Sequence, residues 1–248
     1  MSRIYAIGDV HGQLSQLERA MDWVEKDQAR EGGPIAPVVF VGDLTDRGPD
    51  SQGVISWILE ALDQGRDWTV IKGNHDRMFT GFYRSADHKD PILRDGLTWL
   101  SPGLGGMTTL ASYGVKRGLI EGKRSLHRRL VTAVPDRHIE FLESLPLTHE
   151  VEELLFVHAG LKPGVALQEQ TEDDLLWIRS GWLEDTRDHG PLVVHGHTAI
   201  AAPEHYGNRV NIDGGAAYGR DLVPVVFEGR DCWTLSASGR TPLLPIGT

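Results

Sequence analysis

The sequence contains a single cysteine, Cys232, among its 248 residues. One thiol can neither close an intramolecular disulfide nor build a sulfur-rich zinc or iron–sulfur site within the chain, so a metal centre would have to be assembled from nitrogen and oxygen donors. Scarce cysteine also fits a reducing compartment, and a cytoplasmic protein is expected. Positive charge is in deficit: 25 Lys and Arg stand against 35 Asp and Glu, a formal net charge of −10, which argues against a nonspecific nucleic-acid binder. The first residues run straight into an apolar stretch, without the basic and then apolar pattern of an export signal. The longest uncharged run, 97–115, is about as long as a membrane span, but its glycine, serine, threonine and proline make it a poor one. It reads instead as packing and loop. Neither nucleic acid nor membrane is expected as a partner. Low-complexity segments, solenoid-type repeats and Pro/Ser-rich linkers are missing too, so one domain spanning 1–248 is the expectation.

What the chain does have is glycine and histidine, 29 and 11 residues. The apolar run 3–7 ends in Gly8-Asp9, and Leu14, Leu17, Met21 and Val24 follow at helical spacing after a candidate cap at Gln13 or Ser15. The unit then repeats. The run 38–41 ends in Gly42-Asp43 and precedes Val54, Ile55, Ile58, Leu59 and Leu62, and the run 68–71 ends in Gly73-Asn74-His75-Asp76. That βαβαβ order predicts a parallel sheet with right-handed crossovers. Residues 78–145 read as helical and loop-rich, with an apolar stripe at Ile139, Leu142 and Leu145. Strands are predicted again at 154–157, 192–194, 210–212, 223–227 and 233–235, and the tail from 236 to 248 reads as loosely held.

The informative pattern is positional. Apolar runs ending at Ile7, Val41, Ile71, Val157 and Val194 are each followed within a few residues by Asp, Asn or His. Gly-Asp after one strand is an ordinary turn. Five such coincidences point to a ligand site at the carboxyl ends of the strands, where parallel α/β sheets bind their ligands. The residues gathered this way are Asp9, His11, Asp43, Asn74, His75, His158 and His197. Such an oxygen-and-nitrogen set suits manganese, iron or zinc, and a shared carboxylate suits two ions. His88, His127, His138, His149, His189 and His205 lack a motif and read as solvated or locally bonded, and Cys232 reads as core.

Gly8-Asp9-Val10-His11-Gly12, Gly42-Asp43-Leu44-Thr45-Asp46-Arg47-Gly48 and Gly73-Asn74-His75-Asp76 resemble the three motifs of the phosphoprotein-phosphatase branch of calcineurin-like metallophosphoesterases. The similarity continues through Trp99-Leu100, Gly105-Gly106, Thr109-Leu110, Ser112-Tyr113-Gly114, Val157-His158-Ala159-Gly160, Trp177-Ile178-Arg179, His195-Gly196-His197-Thr198 and Asn211-Ile212-Asp213. It covers nearly the whole chain and is greatest to bacterial and phage serine/threonine phosphatases. The resemblance implies an α/β fold in which two mixed β-sheets are sandwiched between helical layers, with 78–145 as a helical cap over one end.

It also implies roles. Asp9, His11 and Asp43 would bind one divalent metal; Asp43, bridging, with Asn74, His158 and His197 would bind a second, manganese first among the candidates. Arg47 and Arg179 would grip the phosphate, His75 would act as general acid, and Asp46 would orient it. His195, two residues before His197, would share its face of a strand and take a supporting hydrogen bond. Asp213 and Tyr218 correspond to positions near the substrate cleft, and read equally well as a strand-end turn and a surface aromatic. The expected activity is phosphomonoester hydrolysis on phosphoserine or phosphothreonine, with a phosphoprotein or phosphopeptide as partner, because an alkoxide leaving group needs the proton that an Asp46-held His75 supplies. The alternative is hydrolysis of dinucleoside polyphosphates. Asp76 favours that alternative: it stands where eukaryotic phosphatases carry glutamate, and matches the diadenosine tetraphosphate hydrolases.

Overall fold

In the computed structural model, which describes residues 2–247, the predicted βαβαβ unit comprises β1 (Arg3–Ile7), α1 (Leu14–Glu31), β2 (Val38–Phe40), α2 (Ser51–Asp63) and β3 (Trp68–Val70). Four helices follow: α3 (Asn74–Arg84), α4 (Gly106–Ser112), α5 (Lys123–Ala133) and α6 (Asp136–Ser144). The chain then returns to strands with β4 (Thr148–Val151), β5 (Leu154–Val157), helix α7 (Glu172–Trp177), β6 (Leu192–His195), β7 (Glu204–His205), β8 (Arg209–Asn211), β9 (Val225–Glu228), β10 (Asp231–Ser236) and β11 (Gly239–Pro242). Two mixed sheets result, ordered β11-β10-β9-β1-β2-β3 and β4-β5-β6-β8-β7. β1, β2 and β3 are parallel, as are β5, β6 and β8, while β9 and β4 run antiparallel to their neighbours.

Side-chain alternation sets the layers. Successive strand residues face opposite sides, so Tyr5, Ile7, Val38 and Phe40 pack with Leu17, Met21 and Val24 of α1 and Val54, Ile55 and Ile58 of α2. Ile4, Ala6, Val39 and Val41 face the other way, onto Leu154, Phe156, Val194, Val210 and Ile212 of the second sheet. The outer face of that sheet, Leu155, Val157 and Val193, is covered by Leu161, Leu175 and Trp182. Burial from both sides explains why the central strands read as unbroken apolar runs. This helix–sheet–sheet–helix order puts the carboxyl ends of β1, β2, β3, β5 and β6 near one another.

The tail corrects the sequence reading. β11 pairs with β10, Leu243 N–H donates to Cys232 O at 2.9 Å, and Ile246 N–H donates to His205 O at 2.8 Å. Arg240 on β11 makes a charged pair with Asp27 of α1 at 2.8 Å, and Asp27 also accepts from Tyr5 Oη of β1 at 2.8 Å. No short motif announces a bond spanning that much of the chain. Asp27 is 2% exposed, so Asp27→Ala leaves the buried Tyr5 hydroxyl without its partner and reduces Arg240 to its pair with Glu228. A loss of about 3 kcal/mol in urea unfolding is expected. Burial opposes the charge on Asp27, but the bonds from Arg240 and Tyr5 outweigh it and hold its carboxyl below the usual range. Its contribution is therefore complete above about pH 4, the unfolded value, and disappears as pH falls through the depressed folded one. No helix among the described residues is long and apolar enough to cross a membrane.

Candidate active site

The loops after β1, β2 and β6 present their polar residues through an unusual backbone. Of the six non-glycine residues with positive φ among the described residues, five lie here: His11 (47°), Asp43 (51°), Asp46 (73°), Arg47 (65°) and His197 (65°). The short loops between them approach so closely that side chains are excluded. A Cβ on Gly73 would lie 2.1 Å from Asp43 N, and one on Gly196 would lie 2.1 Å from Asp9 Oδ1. Gly196→Ala is therefore expected to displace the Asp9 carboxylate and weaken metal binding by about 10 to 100-fold with the fold retained, read by competition titration against a chromogenic chelator.

The six expected ligands converge, all nearly or wholly buried. Nitrogen and oxygen donors from His11, Asp43 and His75 lie within 4.8 Å of one another, as do those from Asp43, His158 and His197, and Asp43 belongs to both groups. His11 Nδ1 donates to Thr45 O at 2.8 Å and His158 Nδ1 donates to Val41 O at 2.8 Å, which leaves each Nε2 with a lone pair directed inward. His158 Nε2 then faces Asn74 Oδ1 at 2.9 Å and Asp43 Oδ1 at 3.5 Å. Three acceptors meeting this way need a cation or a proton between them. Burial lowers the His158 pKa, so the proton is disfavoured. His197 Nδ1 also lies 2.8 Å from Asn74 Oδ1, while its buried Nε2 has no partner. Asp9 accepts from His197 N–H at 3.1 Å and lies 4.0 Å from His11 Nε2.

The electrostatics agree with a cation site. Burial, with Asp213 and Asp43 close by, raises the Asp9 pKa well above the carboxylate range. Burial would also raise Asp43, but the imidazoles of His158, His75, His11 and His197 around it hold it well below that range. Asp213 is pushed up to about 6, chiefly by burial. Crowded carboxylates facing neutral imidazoles make a donor set suited to divalent ions.

Next to the donors, His75 Nδ1 lies 2.6 Å from Asp46 Oδ2. Asp46 is held in turn: Trp99 Nε1 donates to Oδ2 at 2.8 Å, Thr109 Oγ1 donates to Oδ1 at 2.7 Å, and the Asp46 N–H donates to Thr109 Oγ1 at 2.8 Å. The sequence had marked Trp99 and Thr109 without a role. Asp76 also gains one. Its Oδ1 accepts from Leu44 N–H and its Oδ2 from Gly73 N–H, both at 3.0 Å, so the shorter side chain still ties the second motif loop to the third. Burial, reinforced by Asp43, pushes its pKa up to about 8.

Arg47 and Arg179 line a cavity of about 430 Å³ together with Asp43, Asn74, His75 and His197. Arg47 Nη1 donates to His11 Nε2 at 2.5 Å, and its buried Nε has no protein partner. Its guanidinium lies 5.7 Å from the ring of Tyr218, which is 61% exposed. Asp213 is buried, bonded to Gly215 N–H, and does not line the cavity. His195 departs from expectation. β6 ends at His195 and the left-handed turn at His197 breaks the alternation, so His195 packs on Trp182 and its Nδ1 donates to Gly196 O at 3.1 Å. The rest of the cavity is lined by Ile92, Leu93, Arg94, Leu97 and Leu104, with Trp177, whose ring meets that of His197 at 5.8 Å. The reading of 97–115 as packing holds for Trp99, Leu110 and Val115, which are buried, and for Leu104, which packs on the core while lining the cavity, but not for Leu97, which is 41% exposed.

Two sheets with a histidine- and carboxylate-lined site at their shared strand ends define a class, the two-metal phosphoesterases. The chain belongs to the calcineurin-like phosphoesterase family, whose model matches residues 2–223. Among its relatives is a bis(5'-nucleosyl)-tetraphosphatase PrpE (asymmetrical) of Oceanobacillus iheyensis, 27% identical over alignments covering 98% of this chain and 94% of that one. A protein of the same name from Bacillus thuringiensis is 25% identical, covering 96% and 95%. In fold, the chain is similar to a candidate diadenosine tetraphosphatase (TM-score 0.63, 23% identity, 98% and 94% covered). It is equally similar to a cold-active protein-tyrosine phosphatase from a Shewanella species (TM-score 0.66, 16% identity, 98% and 81% covered). The relatives overturn the expected phosphoprotein or phosphopeptide partner: proteins that align end to end with this chain are named for a small nucleotide substrate. The error lay in treating an oriented acid as a mark of alkyl leaving groups. An anhydride oxygen also departs with negative charge and gains from a proton.

Proposed function

We propose that the chain hydrolyses dinucleoside tetraphosphates asymmetrically, to a nucleoside triphosphate and a nucleoside monophosphate. The observation that carries this reading is the alignment, over nearly the full length of both chains, with proteins named for that reaction. Asp9, His11, Asp43, Asn74, His158 and His197 would hold two divalent ions, with Asp43 shared. The absence of sulfur donors suits manganese, with iron and zinc also compatible. Such ions, when bound, supply a water acidified to hydroxide near neutral pH and positive charge for the phosphoryl oxygens.

The protein's own part is positioning and proton transfer. Arg47 and Arg179 offer planar forks to the phosphoryl oxygens. A water-derived hydroxyl adds to one phosphorus, the phosphorus–oxygen bond opposite it breaks, and the departing oxygen takes a proton from His75 Nε2. His75 can hold that proton because its Nδ1 is turned toward Asp46, and Asp46 is fixed by Trp99 and Thr109. We read 1–248 as one metallophosphoesterase domain, with 78–145 as a cap contributing Ile92, Leu93, Arg94, Leu97 and Leu104 to the cavity wall. A cytoplasmic location fits nucleotide substrates.

The test is a pair of initial-rate assays in excess manganese, one with diadenosine tetraphosphate and one with a phosphoserine peptide, products resolved by chromatography. ATP and AMP in equal amounts, at a kcat/KM above that of the peptide, are expected. ADP as sole nucleotide product, or preference for the peptide, would overturn the proposal.

A further inference from the structure

The catalytic assignment leaves one side of the cavity unexplained. Arg94 reaches it from the loop after α3, and no carboxylate pairs with the Arg94 side chain among the described residues. It is thus a third guanidinium, beside Arg47 and Arg179, on a cavity belonging to a chain of net charge −10. Around Arg94 the wall turns apolar. Ile92 and Leu97 are 45% and 41% exposed, large aliphatic side chains left open to solvent. Trp177 completes the wall, and its buried Nε1–H has no acceptor in the protein.

This wall is built rather than loose. Arg77 of α3 donates two bonds to Asp90, at 2.8 and 2.9 Å, and a third to Asp173 of α7 at 2.7 Å. Asp90 is 1% exposed and also accepts from Ile92 N–H at 3.1 Å. One side chain therefore clamps the loop carrying Ile92, Arg94 and Leu97 to the helix carrying Trp177.

We infer that Arg94 with the shelf of Ile92, Leu97 and Trp177 is the subsite for the leaving half of a nucleoside polyphosphate, Arg94 binding a phosphate beyond the one attacked and the shelf carrying the base. This inference rests on the function proposed above. Three guanidiniums on one cavity match a chain of phosphates better than a single ester, because each phosphate along the chain carries its own negative charge and calls for its own donors. The apolar side chains of Ile92, Leu97 and Trp177 on the same cavity offer a base the stacking and desolvation it needs. A volume of about 430 Å³ is near the low end for ligand pockets, enough for one nucleotide end while the other extends through the mouth.

The test compares Arg94→Ala, Arg94→Lys and the double variant Ile92→Ala/Leu97→Ala with the parent protein on diadenosine tetraphosphate, inorganic tripolyphosphate and p-nitrophenyl phosphate, in excess manganese. For Arg94→Ala the ratio of kcat/KM on the dinucleotide to that on p-nitrophenyl phosphate should fall about tenfold, mainly through KM. Tripolyphosphate should follow the dinucleotide, and Arg94→Lys should recover part of the loss. For the double variant the dinucleotide ratio should fall by a similar factor while the tripolyphosphate ratio holds, since tripolyphosphate has no base. Equal losses on all three substrates would overturn the subsite and leave the proposed activity standing. Parent protein that turns over p-nitrophenyl phosphate but neither polyphosphate would overturn both, a result visible before any variant is made.

Discussion

Asp43→Asn is expected to lower kcat by about four orders of magnitude and to leave fewer than two metal ions per chain. Losses of that size follow when the group that organises a whole catalytic unit is removed. Asp43 belongs to both donor groups, with Oδ2 3.5 Å from His11 Nε2 and Oδ1 3.5 Å from His158 Nε2. An amide keeps the shape and loses what matters: one oxygen becomes a donor aimed at a lone pair, and the negative charge common to both donor groups is gone. The same change relieves Asp9, Asp76 and Asp213, each raised in part by the charge of Asp43. The variant should therefore fold at least as well without metal, so that inactivity reflects the site. Metal content by plasma mass spectrometry, alongside the rate, decides it. Two ions per chain and a rate within tenfold of the parent would show that Asp43 bridges nothing.

His75→Asn should cost about 10² to 10⁴-fold in kcat, the usual worth of general acid–base catalysis, with both ions retained. Retention is the informative half, because His75 sits geometrically among the donors of the first group. Its Nδ1, however, is taken by Asp46 at 2.6 Å. If His75 serves as acid, the loss depends on the leaving group. It should be greatest on an alkyl phosphate and small on both the dinucleotide and p-nitrophenyl phosphate, whose leaving oxygens are much weaker bases than an alkoxide. Asp46→Asn should reproduce that ranking at smaller amplitude. Loss of one equivalent of metal from His75→Asn would make it a ligand instead.

The fold was legible where burial was two-sided. β1, β2, β5 and β6 are short apolar runs ended by glycine or histidine, and a turn residue after each run marks its end locally. The donors were legible for the same reason, since a strand end fixes where Asp9, Asp43 and Asn74 emerge. β4, β7 and β11 were not. They are edge strands, so Thr148–Val151, Glu204–His205 and Gly239–Pro242 carry no apolar pattern, and each is held by the backbone ladder to the strand beside it in sequence. The cavity wall was hidden for a related reason: Ile92, Arg94 and Leu97 lie in a loop without periodicity, placed by the Arg77–Asp90 bonds. The substrate was the least legible. His75, Asp46 and the donors serve any phosphoryl group, and what distinguishes one substrate from another lies in that loop.

The left-handed residues at the strand ends have a consequence for anyone trying to make this protein hardier. Each costs about 1–3 kcal/mol in backbone conformation, and among the described residues five of the six non-glycine examples lie at the candidate site. A redesign guided by backbone strain, scoring positions one at a time, would choose glycine or asparagine at His11, Asp43, Asp46, Arg47 and His197, and would gain stability except where, as at Asp46, buried donors such as Trp99 and Thr109 lose their acceptor. The product would be a robust scaffold with no chemistry. Ruggedness has to be sought elsewhere, at positions such as Leu119 and Ile120, fully solvent-exposed and remote from the strand ends.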